Sequence, residues 1–381
     1  IIPLEFSSLR AAYEKNSDLR SIIDSGYINE RDWGAHWVAH YLSKELGLRG
    51  YYRVVIARAL VDYGRFPGIS EADSGHLSRL AINPPFSEIM SDKDKEIALD
   101  YYDKIADRMA DTARERLSKR ATADPNLIKI AIHTYDEWNP SGTRRPVSSV
   151  LTRPESVQQN MVLLPGIFDN LFPSQLAEFT ADRVLTYRIG LTFEKAYLPT
   201  GIEFPYTLPE GSVELRSQVW FFFQHLKEKF ESDSKNKNFI KLVEKNVYNA
   251  IWKMLTNTNS RALDSISLRA YLEKYCNVPN SQLQFFKEAR KIYNEIKVFI
   301  QENYEKIVRQ YQYSTSRPSS LIVEVRKDYL CEGSWIGKKY FPRSIKDENA
   351  RRIAHLLSNA IKTYIEQDIK DKTLARKRLP F

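Results

Sequence analysis

Two of the six histidines, His36 and His40, stand four apart in Asp32-Trp-Gly-Ala-His36-Trp-Val-Ala-His40, and Asp32 stands four before His36. On a helix that spacing puts all three on one face, a row that suits a metal ion as well as it suits ordinary packing. His133 ends the apolar run Leu127 to Ile132 and opens the polar cluster Thr134, Tyr135, Asp136, Glu137, Trp138 and Asn139. The carboxyl end of a buried strand is where open α/β sheets hold ligands, while a histidine satisfied by a backbone carbonyl is the plainer alternative. Just beyond, Gly142-Thr-Arg144-Arg145-Pro146 offers two guanidiniums suited to carboxylate capture, or a solvated loop. Arg65 follows Val61-Asp62-Tyr-Gly where the chain should turn over a sheet edge. In Leu321-Ile-Val-Glu324-Val-Arg326-Lys-Asp328, alternation puts Glu324 and Arg326 on one strand face, either as a structural ion pair or as a general base beside an anion clamp.

These residues need a scaffold. The first 210 residues alternate short β-rich runs with amphipathic stretches, the pattern of an α/β domain with a mixed central sheet flanked by helices. The expected strands are Ile2 to Phe6, Tyr52 to Ala57 and Leu127 to Ile132; the expected helices are Arg31 to Leu46, Asp92 to Ser118 and Pro173 to Thr180. From 213 to 313 long charged amphipathic runs dominate, notably Leu226 to Ile251 and Leu283 to Tyr311, and read as a helical insertion. Ser314 to Ser320 punctuates the chain, Leu321 to Arg326 returns to strand, and Ile345 to Ile369 forms a last helix. The late strand must then pair with the early sheet. The expected division is 1–212 with 314–381 as one α/β domain, hydrolase-like in architecture, and 213–313 as the insertion.

In this order the segments resemble the N-formylglutamate amidohydrolase family and, more distantly, the zinc carboxypeptidases. Ile130-Ala-Ile-His133-Thr-Tyr135 is similar to the family's strand ending in a metal-binding His. Val323-Glu324-Val-Arg326-Lys-Asp328 is similar to its Glu-x-Arg-x-Asp strand, Val61-Asp62-Tyr-Gly-Arg65 to its Val-Asp-Leu-Asn-Arg, and Phe204-Pro205-Tyr206 to an Asn-x-Pro-Tyr turn near the pocket. The resemblance covers roughly 1–210 and 314–365. It implies a divergent metal-dependent amide hydrolase acting on an anionic N-acyl amino acid or peptide. Glu324 would be the general base, Arg326 the oxyanion support, and Arg65, Arg144, Arg145 and Tyr135 the substrate contacts. The implied cofactor is a divalent cation, zinc for preference, with Asp32 (or Glu30) and His133 as ligands. The family's Pro-His-Ser-Gly, which carries the first ligand, is replaced by Leu4-Glu5-Phe6-Ser7-Ser8, so Glu5 or His36 would have to complete the set. The alternative is a catalytically degenerate member that serves as a binding or scaffold protein.

Composition bounds the rest. At 381 residues, 43% hydrophobic and 28% charged, the chain is globular rather than disordered. No apolar run approaches the roughly 18 residues of a membrane span, so no membrane partner is expected. The first residues, Ile1 to Ser7, lack an initiator Met and the regions of a signal peptide, which suggests a trimmed or processed chain. Cys276 and Cys331 suit a reducing compartment, so a cytoplasmic location is expected. The formal charge of +9 raises nucleic acid as a partner. However, five of the cations lie in the tail Lys370 to Phe381, and neither a Cys/His finger nor a Gly-rich phosphate loop accompanies them. A small anion or peptide is the expected partner, with nucleic-acid binding the lesser alternative.

Overall fold

The computed structural model describes residues 2, 4–71, 73, 79–118, 127–139, 141–154, 168–209, 212–259, 261–274, 280–314, 317–337 and 339–370. Helices α1 (Ser7–Lys15), α2 (Ser17–Glu30), α3 (Ala35–Glu45), α4 (Phe86–Ile89) and α5 (Asp92–Ser118) precede strands β1 (Ile128–Tyr135) and β2 (Ser148–Leu151). The short α6 (Ser174–Ala177), α7 (Arg183–Lys195) and β3 (Thr200–Ile202) follow. Helices α8 (Val213–Ser232), α9 (Ser234–Leu242), α10 (Lys245–Thr256), α11 (Leu263–Lys274) and α12 (Leu283–Glu302) make up the helical block. The chain then returns through β4 (Ser319–Arg326), α13 (Lys327–Leu330), the antiparallel hairpin β5 (Cys331–Ile336) and β6 (Lys339–Ile345), and α14 (Asp347–Thr363).

The central sheet has the order β1-β4-β2-β3, with β4 parallel to β1 and antiparallel to β2. The late strand therefore enters between two early ones, as its apolar sequence demands. One sheet face, with Ile130, Ile132, Val150, Leu321, Val323 and Val325, packs on Val38, Leu185, Ile189, Phe193 and Leu357 of α3, α7 and α14. The period of two then leaves Lys129, Ala131, His133 and Tyr135 of β1 on the opposite face, beside Ile322 and Glu324 of β4 and Ser149 and Leu151 of β2. That face is covered only in part, which leaves a polar row beside a cleft.

The helical block has its own core. Leu215, Val219, Phe222, Leu226 and Phe230 recur along α8 at three- and four-residue spacing and meet Ile251 of α10 and Ile296 of α12. The block is not closed off: Phe66, Phe168, Phe172 and Leu176 from the flanking chain join the same cluster. A third cluster knits Phe6, Leu9 and Ile23 to Leu60, Ile82 and Tyr102.

Several expectations change. Residues Leu4 to Phe6 form no strand, and Ile1 and Pro3 lie outside the described residues. Phe6, at the N-cap of α1, and Leu9 within it are fully buried, and Ile2 packs against the same cluster. Tyr52 to Ala57 is β-rich yet irregular; Val55 is 82% exposed, and among the described residues no strand pairs with it. The helix expected from Arg31 begins at Ala35, after Gly34 at φ +89°, and an unforeseen helix, α2, ends at Glu30. Pro173 to Thr180 forms a single turn, and the last helix starts at Asp347 because β6 runs to Ile345. Asp92 to Ser118 is one helix as expected. Cys276 and the tail from 371 lie outside the described residues, and among those described no helix is long and apolar enough to cross a membrane.

Candidate functional site

The partly covered sheet face opens on a cleft of about 2170 Å³, whose walls come from the 31–65 segment, α5, the strand ends and the start of α8. His133 and Glu324 occupy paired positions on β1 and β4, so their side chains rise together from its floor. Asp32, in the turn between α2 and α3, reaches over β1. Its Oδ2 lies 3.1 Å from His133 Nδ1, and its Oδ1 accepts the Thr134 N–H at 2.9 Å. Both oxygens are thereby used, which fixes the imidazole by one nitrogen and leaves Nε2 as the other. Tyr206 comes from the chain beyond β3 and donates its hydroxyl to Glu324 Oε1 at 2.6 Å.

The electrostatics follow from this packing. Burial opposes the His133 charge, but Asp32, through attraction and the hydrogen bond, and then Glu324 outweigh it and raise the imidazole to about 9. Burial raises the Glu324 carboxyl, reinforced by Asp32 and opposed by His133, Tyr206 and Arg58. Asp32 is pushed up by burial but ends below the ordinary carboxylate range because His133 and Arg58 favour its charge. The His133 side chain is 33% exposed, so these groups sit deep in an open cleft rather than sealed off.

The cations around this pair are not all those expected. Arg145 lies with its guanidinium carbon 5.1 Å from the Tyr135 ring centroid and 5.6 Å from that of Tyr206, bonds Asp136 O at 3.1 Å, and lines the cleft. Its Nε is buried with no partner among the described residues. Tyr135 faces the same wall, its hydroxyl 2.9 Å from both Pro146 O and Ser149 Oγ. Arg144 is exposed and bonds Glu137 at 2.8 Å, outside the cleft lining. Arg326 pairs with Glu137 at 2.8 Å and with Asp328 at 2.9 Å; two carboxylates hold it at the strand end, outside the cleft lining. Arg65 is buried in the cleft wall, 4.0 Å from Asp62, and its carbonyl accepts from Tyr102. A residue not foreseen, Arg58, lies 3.3 Å from Asp62. Asp62 above all, then, against burial, Asp32, Glu30 and Glu324 hold its charge. It stands in an irregular stretch, where no periodicity marks it.

The proposed metal donors divide. Asp32 and His133 meet, whereas Glu5 is exposed and accepts from Tyr101 at 3.2 Å. His36 Nδ1 lies 2.7 Å from Tyr51 OH, in a ring cluster with Trp37, His40 and Tyr51. Burial, Arg53, His40 and Arg31 all disfavour its protonation. Among the described residues no group of three or more His, Cys, Asp and Glu is arranged to hold a metal ion. Of the four expected donors, Asp32 and His133 come together, and Glu5 and His36 stand apart from them. His36 and His40 meet the ring of Tyr51, while Asp32, which stands before α3, orients His133. Comparison with protein-family models, with curated proteins and with solved structures finds no match for the chain.

Proposed function

We propose that this cleft hydrolyses an amide bond in an anionic N-acyl amino acid or peptide. The observation that carries the reading is the pairing of His133 and Glu324 on adjacent strands, each fixed by a group from elsewhere in the chain, Asp32 and Tyr206. Glu324, held by one oxygen, is suited to take a proton from an attacking water and return it to the leaving amine. His133, oriented through Nδ1, has Nε2 to hydrogen-bond the carbonyl oxygen as it gains charge. Arg145 and Arg58 line the same cleft and suit a substrate carboxylate. The test is hydrolysis of a panel of N-acylated amino acids and short peptides by wild type and Glu324→Gln, with and without added divalent cation. Turnover that drops at least about 100-fold in the variant supports the reading; no turnover on any member, with or without metal, overturns it. A cation requirement would restore the metal-dependent form, in which Asp32 and His133 are the donors at hand.

The dispersal of Glu5 and His36 from Asp32 and His133 favours a second reading, a binding or scaffold protein on the same architecture. It predicts affinity for anionic peptides, unchanged by Glu324→Gln, without turnover.

A further inference from the structure

The helical block contributes Glu214, Arg216 and Lys253 to the cleft lining, and the catalytic reading uses none of them. Arg216, from the first turns of α8, is only 7% exposed and lines the cleft wall. Its guanidinium carbon lies 5.1 Å from the Tyr102 ring centroid, and Tyr102 in turn stacks on Tyr63 at 4.9 Å with the rings 1° from parallel. Arg216 Nε and Nη2 and the Tyr63 hydroxyl are all buried without a hydrogen-bond partner among the described residues. The acids around them are committed: Glu214 to Lys129, Asp62 to Arg58 and Arg65, Asp103 to Arg261 and Asn259. Arg216 makes no ion pair among the described residues.

A buried guanidinium without a counter-charge is costly, and unsatisfied buried donors are rare in folded proteins. Here the unsatisfied donors belong to two residues, Arg216 and Tyr63, that both meet the Tyr102 ring and both line a single open cleft. A cleft lined by twelve Lys and Arg against eight Asp and Glu among its described residues favours a negative ligand over a neutral one. We infer that Arg216 and Tyr63 form an oxyanion subsite in the cleft, separate from the His133–Glu324 centre, that takes a carboxylate or phosphate group of the ligand. The subsite gives the helical block a part in recognition, because α8 supplies its only charge. The inference does not depend on the hydrolytic reading: a working subsite in a protein without turnover would leave it standing and remove the other.

The experiment is thermal unfolding and calorimetric titration of the full chain with inorganic phosphate and, separately, acetate. Wild type, Arg216→Met, Arg216→Lys and Tyr63→Phe are compared. Saturable binding by wild type that weakens about tenfold or more in Arg216→Met, as loss of a charge-assisted hydrogen bond requires, supports the subsite. Arg216→Lys should keep part of it, and Tyr63→Phe should weaken it less than Arg216→Met. The arm that saturates, phosphate or acetate, identifies the chemistry. Without any anion, Arg216→Met should melt no lower than wild type, since it removes an unpaired buried charge. An anion-free melting point well below wild type would make Arg216 a structural residue and overturn the inference. Absence of saturable binding to wild type, or binding that survives Arg216→Met, would overturn it too. Should Arg216→Met fail to fold, Arg216→Lys and Tyr63→Phe decide: wild-type affinity in both rejects the subsite.

Discussion

Asp32 and His133, 101 residues apart in sequence, share one carboxylate: Oδ2 faces the imidazole Nδ1 and Oδ1 takes the next backbone N–H, that of Thr134. The turn after α2 is thus locked to the end of β1 by a charged clamp, and the imidazole keeps its charge to about pH 9 against the cost of burial. Asp32→Asn removes the charge while keeping the shape. The imidazole should then titrate at least about one pH unit lower, since burial is left opposed by little besides Glu324. An NMR titration of the His133 ring carbons reads this directly; an unchanged midpoint would mean that Asp32 is not the group that holds the proton.

Tyr206 acts on Glu324 in the opposite sense to burial, because its hydrogen bond favours the carboxylate form. Tyr206→Phe should raise the Glu324 carboxyl further. If Glu324 acts as base, activity is lost as pH falls through its pKa, so the acid limb of the pH–rate profile should move to higher pH in the variant. Activity at the plateau should change less than the position of the limb. A limb that stays in place, or moves down, removes Glu324 from that role.

The strands that carry this pair could be read in the sequence because their apolar sides are continuous. Ile128, Ile130 and Ile132, and Leu321, Val323 and Val325, alternate with the polar residues that line the cleft, and a period of two can be read without partners. Strands β2 and β3 were not legible: Ser148–Leu151 and Thr200–Ile202 are short, and pairing with β4 and with each other defines them. The reverse failure occurs at 52–57, where Val54, Val55 and Ile56 have strand propensity but no pairing strand among the described residues. At the site, His133 and Glu324 declared themselves by standing at strand ends. Arg58 and Arg216 did not, because one lies in irregular chain and the other in a helix whose pattern shows only which side is apolar. Arg326 shows a related limit: alternation gives the face of a side chain, but not that Glu137 and Asp328 will hold it there.

Arg317 joins the helical block to the sheet. Its guanidinium donates to the carbonyls of Leu176 and Phe179, at 2.6 Å each, and to Gln218 Oε1 on α8 at 2.8 Å. Gln218 in turn donates to Thr180 O and Pro318 O, both at 2.9 Å. Arg317→Met keeps much of the volume but removes the donor from three carbonyls, the third being Gln312 O at 3.3 Å, and from one amide oxygen. At about 1–3 kcal/mol for each buried group left unsatisfied, a loss of roughly 3 kcal/mol or more is expected. Urea unfolding followed by tryptophan fluorescence gives the value. A loss under about 1 kcal/mol would show that water replaces the guanidinium and that the junction is wetter than its burial implies.

His225 provides an acid-sensitive element within the helical block. Its ring stacks on Tyr311 with centroids 4.4 Å apart, and its Nε2 is buried without a partner among the described residues. Burial first, then Lys229, pushes the imidazole down to about 4. The unfolded chain, with its ordinary value near 6.5, binds a proton that the folded chain refuses between those limits. Stability from this group is therefore fully present above pH 6.5 and declines as pH falls toward 4, by about 2 kcal/mol at pH 5. His225→Phe keeps the ring on Tyr311 and removes the titration. The stability difference between pH 7 and pH 5, from urea unfolding at each, should be smaller in the variant by that amount. Equal pH dependence in the two proteins would show that the imidazole takes up its proton in the folded state, with Nε2 reaching water that the Tyr311 stack was expected to exclude.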